Sequence, residues 1–243
     1  VGQVFYYATP IILTGLSVGF AFKSGLFNIG TPGQFIMGGF GAVYVGILWT
    51  SLGPAHWFVA LLASVVMGAV WGLVPGLLKA YYNVNEVIAS IMMNYIGMYL
   101  VNWIVKSSKP LFNNLRNESR NVAATANIPK MGLDKIFPGS SVNGGIIIAI
   151  IVVILIYLLL NKTTFGYELK AVGFNRDASK YAGINEKKSI IMSMMNAGAI
   201  AGLAGGLLYL AGTGKHIEIK DVTASEGFTG ISVALLDLRN TLG

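Results

Sequence analysis

Charged residues are concentrated in segments between long apolar runs, and this pattern constrains the fold more than any other feature. Residues 164–188 carry eight charged side chains and separate the two most membrane-like runs of the chain. A charge at the centre of a bilayer costs roughly 2.5–3.5 kcal/mol, so eight would cost on the order of 20 kcal/mol. We therefore expect this segment outside the hydrocarbon and the flanking runs inside it.

Composition supports an integral membrane protein. Hydrophobic residues make up 54% of the chain and charged residues 11%, whereas soluble domains average about 25% charged. The chain has no Cys, which excludes disulfides, thiol catalysis and Cys metal sites. The net charge of +7 is explained by basic loops that set membrane topology, so we expect no nucleic-acid binding.

Five apolar runs are long enough to cross a membrane. They are residues 4–22, 57–78, 87–105, 144–160 and 190–214. Glycines repeat every four residues in the second run and again in the fifth, which predicts closely packed helix faces. The fourth run is apolar on all sides, so we expect it to face lipid.

Two shorter elements predict broken or half helices. In the first, Thr31, Pro32 and Gln34 fit a capping box at the start of a helix over residues 32–49. That helix either begins inside the membrane or follows a tight turn at its surface. Residues 227–236 are too short to span and resemble residues 26–49, a weak internal repeat of the kind found in transporters. The predicted fold is an all-α polytopic bundle of about five full spans and two half helices, with inverted repeats.

Histidine chemistry gives little support for an enzyme. His56 lies in a short turn between Trp49 and Trp57, where we expect an interfacial residue, and His216 is far from it in sequence. The chain contains no HExxH, GxSxG or GxxxxGK[ST] motif. ATP hydrolysis would therefore have to occur on another chain.

Loop charges suggest an orientation. Residues 106–143 and residues 161–189 are separated by one span, so they face opposite sides, and each contains six Lys or Arg. Residues 161–189 are denser in charge and closer to their spans, which favours the cytoplasm under the positive-inside rule. Residues 106–143 then form an extracytoplasmic loop.

Four motifs in order resemble one family. They are TPIILTGLSVGFAFKSGLFNIGTPGQF (9–35), NEVIASIMMNYI (85–96), FGYELKAVGFNRDASKYAGIN (165–185) and GFTGISVALL (227–236). Together they resemble permease subunits of bacterial ATP-binding cassette (ABC) importers, in the nucleoside, simple-sugar and branched-chain amino-acid branch, and most resemble the nucleoside type. Asp237 and Arg239 stand where the family has small neutral residues.

The resemblance implies a multi-pass protein of the bacterial plasma membrane that works with partners. They are a second, homologous permease subunit, two ATPase subunits that bind ATP and Mg²⁺, and an extracytoplasmic substrate-binding protein; this chain would hold no cofactor or metal itself. Residues 1–243 would form a single permease domain. Because family members extend further at both ends, we also expect this chain to be a fragment.

Residues 164–188 are predicted to couple the permease to an ATPase. Asn175 fits the cap of a short helix, Asp177 favours its first turn, and Gly183 fits its end. From the pattern alone, the segment is either a docking knob or a solvated interfacial helix, and the resemblance favours docking. The expected contact residues are Glu168, Lys170, Arg176, Asp177, Lys180 and Tyr181.

Polar residues within apolar runs are candidates for the substrate path, because amides and carboxylates can bind the hydroxyls and base edges of a nucleoside. They are Asn28, Gln34, Glu86, Asn94 and Asn196. Asn94 could instead bridge two helices, and Glu86 could lie at the membrane surface. A simple-sugar permease, an ion-coupled secondary transporter that depends on Glu86, and a membrane-embedded enzyme remain the alternatives.

Overall fold

The computed structural model describes residues 2–212 and 214–241, with side chains through residue 236. These residues form ten α-helices: α1 (Gly2–Phe22), α2 (Thr31–Leu48), α3 (His56–Tyr82), α4 (Glu86–Ser107), α5 (Leu133–Ile136), α6 (Gly145–Lys162), α7 (Thr164–Phe174), α8 (Arg176–Tyr181), α9 (Glu186–Tyr209) and α10 (Ser225–Thr241). A hairpin pairs β1 (Phe112–Asn113) with β2 (Glu118–Ser119). Five helices are long and apolar enough to cross a membrane, namely α1, α3, α4, α6 and α9. The all-α polytopic class and the five spans are confirmed.

Helix α9 is the centre of the bundle, and glycines bring its neighbours close. A Cβ on Gly68 of α3 would overlap the carbonyl oxygen of Gly198 in α9, and one on Gly38 of α2 would overlap Gly202. Backbones can approach this closely only where side chains are absent. The packed faces that the glycine spacing predicted are therefore present.

Helix α6 lies at the edge of the bundle. Its buried residues are Gly145 and Ala149, while Ile151 and Leu155 at its middle are about half exposed. Aliphatic side chains exposed along a span of this kind favour contact with lipid tails. The peripheral position expected for the fourth apolar run is confirmed.

The two half helices begin at the same place inside the bundle. Gly227 in the first turn of α10 lies against Pro32 in the first turn of α2, and a Cβ on Gly227 would be 2.6 Å from the Cα of Pro32. Helix α2 runs from there to Leu48, and the carbonyl of Gly46 in its last turn accepts a hydrogen bond from Ala123 N in the 106–143 loop. Helix α10 runs the other way along α1, where Ile231 packs on Val18. The helix at 31–48 therefore starts inside the bundle and does not follow a turn at its surface.

The capping box predicted at α2 is wrong. Gly30 is the N-cap residue, and neither Thr31 nor Gln34 caps the helix with its side chain. The Thr31 hydroxyl instead donates to the carbonyl of Asn28, and the Gln34 amide pairs with the Asn28 amide. The preceding segment folds back on the helix start, so a tertiary partner replaces the local cap.

His56, expected at the membrane surface, is enclosed by the protein. It is fully buried at the start of α3, where Nδ1 lies 2.8 Å from the Thr125 hydroxyl and Nε2 lies 2.9 Å from the Val45 carbonyl. The imidazole therefore ties the 106–143 loop to the end of α2. This loop is also bonded to the chain after α9, because Ser119 N donates to Ile217 O at 2.9 Å and Ile128 N to Leu210 O at 3.0 Å.

Candidate functional site

Asn28 and Gln34 form a buried amide pair below the start of α2. Asn28 Nδ2 donates to Gln34 Oε1 at 2.9 Å, and Gln34 Nε2 donates back to Asn28 Oδ1 at 3.2 Å. Asn28 Oδ1 also accepts from the backbone N–H of Gly30 at 3.1 Å. Both side chains are almost completely buried, so the pair fixes the chain reversal that leads into α2.

Asn94 connects α4 to the same reversal. Its Oδ1 accepts from the backbone N–H of Gly33 at 2.8 Å, and its Nδ2 donates to the carbonyl of Ile29 at 3.0 Å. Gly33 has no room for a side chain here, since its Cβ would lie 2.8 Å from Asn94 Oδ1. Three of the proposed path residues, Asn28, Gln34 and Asn94, are therefore gathered at the start of α2 and hydrogen-bonded to its backbone or to each other.

The other two proposed path residues lie elsewhere. Glu86, the first residue of α4, forms an ion pair with Lys79 across the α3–α4 turn, with Nζ and Oε2 3.0 Å apart. Asn196 is half-buried on α9, and its Nδ2 donates to the carbonyl of Met192 one turn earlier at 2.8 Å. Glu86 is thus at the same end of the bundle as residues 161–189, while Asn196 lies within a span.

A cavity of about 700 Å³ lies between the half-helix starts and the end of the bundle that carries the 106–143 loop. Its walls come from the start of α1, the second half of α4, the end of α9 and the polar segment 214–226. Ile36 of α2 and Glu226 of α10 also line it. The cavity is therefore a vestibule that reaches from one side of the bundle to the first turns of both half helices.

Charged and aromatic groups line this vestibule. Lys215 Nζ donates to the Tyr6 hydroxyl at 2.6 Å, and His216 Nε2 lies 3.0 Å from a Glu118 carboxylate oxygen. Lys220 hydrogen-bonds and pairs with Glu218, which lowers the pKa of that carboxyl. Such a wall suits a polar solute better than an apolar one, because its charged and hydrogen-bonding side chains can bind the polar groups of a solute.

Residues 164–188 form two short helices at the opposite end. Thr163 caps α7 by accepting from Gly166 N at 3.1 Å, and Asn175 caps α8 by accepting from Ala178 N at 3.0 Å. Gly183 follows α8 with φ +79°, a conformation that suits glycine. The Asn175 cap and the Gly183 stop are as predicted from sequence, whereas α7 was not predicted as a separate helix.

Three of the six predicted contact residues of this segment are exposed, and the other three are half-buried. Tyr181 is 94% exposed, and Asp177 and Lys180 are also exposed. Glu168, Lys170 and Arg176 are half-buried, and Lys170 Nζ donates to Asn161 Oδ1 at 2.7 Å. A role for them in ATPase contact stays a prediction.

Sequence reasoning missed two exposed aromatic residues and one glycine in this segment. Tyr167 and Phe174 are 71% and 92% exposed, so with Tyr181 they give the segment three aromatic side chains at seven-residue intervals. Gly173, next to Phe174, packs against the backbone of residues 23–25. The sequence pattern that could have identified them is the repeated pairing of small and aromatic residues in this otherwise charged segment.

Comparisons with known proteins point in one direction. Residues 1–243 match the model of a family described as the permease component of the branched-chain amino acid transport system. The chain is 40% identical over 243 residues to the guanosine ABC transporter permease protein NupP of Bacillus subtilis, covering 100% of this chain and 69% of that protein. No solved structure matches it significantly.

Two further relatives are named for nucleosides and for glucose. The chain is 36% identical over 248 residues to the nucleoside ABC transporter permease protein NupB of Lactococcus lactis, covering 100% of this chain and 68% of that protein. It is 30% identical over 241 residues to the glucose ABC transporter permease protein TsgB13 of Haloferax volcanii, covering 96% of this chain and 62% of that protein.

Proposed function

Because the chain belongs to the permease family of the branched-chain amino acid transport system, we propose that it forms part of the membrane path of an ABC importer for nucleosides. It is a multi-pass membrane transporter subunit and not an enzyme. The observation that carries the nucleoside assignment is the identity of 40% and 36%, over the whole chain, to permeases named for guanosine and for nucleosides.

The vestibule supports this substrate class. Its lining includes Tyr7, whose ring is 59% exposed and can stack on a base, together with Ser225 and Glu226, which can bind ribose hydroxyls or base edges. The positions of the half-helix starts support a gate. Two helices that begin face to face and run apart can rock against each other without breaking their backbone hydrogen bonds.

The proposal includes three kinds of partner protein. A second, homologous permease subunit would complete the path, and two ATPase subunits would bind ATP and Mg²⁺ and dock on α7 and α8. An extracytoplasmic binding protein would deliver the nucleoside to the vestibule. This assignment places residues 161–189 in the cytoplasm and residues 106–143 outside.

The glucose permease among the relatives favours a second candidate, a simple sugar. Reconstitution of the complete transporter in proteoliposomes separates the two, with radiolabelled guanosine and radiolabelled glucose as the probes. ATP-dependent uptake of guanosine, with glucose unable to compete, is expected. Uptake of glucose alone would show that the substrate is a simple sugar and not a nucleoside. Uptake that persists without the ATPase subunits would show an ion-coupled mechanism.

A further inference from the structure

Two tyrosines stand exposed at the middle of α4. Tyr95 and Tyr99 are 54% and 56% exposed. With a rise of 1.5 Å per residue, they lie about 14 and 20 Å along a helix of about 33 Å, on either side of its midpoint. Among the residues described, neither hydroxyl has a hydrogen-bond partner.

This placement differs from the other outward faces of the bundle. The exposed residues at the middle of α3 are Val66 and Val70, and those at the middle of α6 are Ile154 and Leu155. Tyr157 of α6 is also exposed, but it lies five residues, about 8 Å, from the end of its helix, where its hydroxyl can reach the membrane surface. Tyrosine is favoured at membrane surfaces, where its hydroxyl reaches water, and a polar group at the bilayer centre needs a polar counterpart. The positions of Tyr95 and Tyr99 therefore do not fit contact with lipid tails, whereas the exposed Ile91 and Met92 of the same helix do.

The same face continues the wall of the vestibule. Met98 and Asn102 line that cavity, and they lie three residues after Tyr95 and Tyr99 respectively. Residues three apart are neighbours on a helix surface. The two tyrosines thus lie next to the vestibule wall on α4, on the side toward the end of the bundle that carries residues 161–189.

We propose that Tyr95 and Tyr99 line the aqueous translocation path, where α4 faces the second permease subunit, and that their rings stack on the base of the passing nucleoside. The inference rests on the proposed function. Beyond that function, it names the helix face that lines the path and the two side chains that contact the substrate. A water-filled path supplies the hydroxyls with hydrogen bonds, and a purine or pyrimidine offers a flat surface to each ring.

Cysteine labelling tests the location independently of the substrate, because the chain has no native Cys. Tyr95→Cys and Tyr99→Cys are introduced singly into the complete transporter, with Ile151→Cys of α6 as a control of similar exposure and depth. A water-soluble methanethiosulfonate reagent reacts with the thiolate, which is scarce in lipid, so the tyrosine positions should react on the order of 10-fold faster than the control. Reaction no faster than the control would overturn the proposal.

Guanosine protection and aromatic replacement test the contact with the base. Guanosine should slow the labelling of both cysteines, and glucose should not. Tyr99→Ala should raise the KM for guanosine uptake on the order of 10-fold, while Tyr99→Phe, which keeps the ring, should stay near the native value. If glucose but not guanosine slows fast labelling, the two residues line the path but the substrate is not a nucleoside. An equal KM for guanosine in the Tyr99→Ala and Tyr99→Phe variants would overturn the stacking role.

Discussion

Gly173 at the end of α7 packs directly on Gly25, which lies in the turn between α1 and the reversal that leads to α2. A Cβ on Gly25 would be 3.1 Å from the Cα of Gly173. Ser24 in the same turn is hydrogen-bonded through its hydroxyl to the hydroxyl of Ser193 in α9. The segment proposed to meet the ATPase is therefore in contact with both the central helix and the approach to a half helix.

This contact predicts that a single methyl group added at Gly173 destabilises the fold. A Cβ there would overlap Lys23 O and Gly25 N, so Gly173→Ala should lower the free energy of unfolding by about 1–3 kcal/mol. Thermal unfolding of the purified transporter measures the change. Gly19→Ala is the control, because its Cβ would meet nothing within 4 Å, and equal melting temperatures for the two variants would contradict the prediction.

Asn94 is predicted to hold the start of α2 in place. Asn94→Ala leaves the Gly33 N–H and the Ile29 carbonyl without this partner. An unsatisfied buried group costs about 1–3 kcal/mol, so the melting temperature should fall. Asn196→Ala removes only a bond to its own helix and should have a smaller effect. A fall as large for Asn196→Ala would show that Asn94 has no special role at the helix start.

Tyr181 is predicted to act in coupling and not in folding. Its side chain is 94% exposed, so Tyr181→Ala should leave the melting temperature unchanged. Tyrosines at interface hot spots contribute about 2 kcal/mol or more, so ATP-driven uptake should fall at least about 10-fold. The measurement is uptake per ATP hydrolysed in proteoliposomes.

Leu115→Ala is the matched control for Tyr181→Ala. Leu115 is 95% exposed, but it lies in the β1–β2 hairpin at the other end of the bundle. Its replacement should leave the ratio of uptake to ATP hydrolysis at the native value. If Tyr181→Ala behaves the same way, residues 164–188 act as a solvated surface segment.

The Glu218–Lys220 pair predicts a pH-dependent contribution at the vestibule. Hydrogen bonding and the charge of Lys220 lower the pKa of Glu218 in the folded state. The carboxylate therefore stabilises the fold above its ordinary pKa, and this contribution is lost as pH falls through the lowered value. Glu218→Gln should melt slightly below the native protein at neutral pH and level with it once the pH is below the lowered pKa of Glu218. If the difference in melting temperature between the two proteins grows as the pH falls, the pKa of Glu218 is raised and not lowered in the folded state.

The location of the half-helix starts had been only partly predictable. The helix-breaking residues around Gly30 and Pro32 indicated a helix start. The sequence was equally compatible with a start inside the membrane and with a start after a surface turn, and it also suggested a capping box that the structure does not contain. The position of the helix start depends on Asn94, which is distant in sequence and hydrogen-bonds to the backbone of Ile29 and Gly33. No local pattern can report such a partner.

The sequence by itself determined the spans, the lipid-facing α6, the buried α9 and the Asn175 cap. Hydropathy, glycine spacing and caps act within a few residues along the chain, so their effects can be read locally. Only the tertiary structure decided that Gly173 meets Gly25, that His56 is buried, and that Tyr95 and Tyr99 stand exposed at mid-helix. These features depend on which helix faces are covered by others, and that is set by packing between segments far apart in the chain.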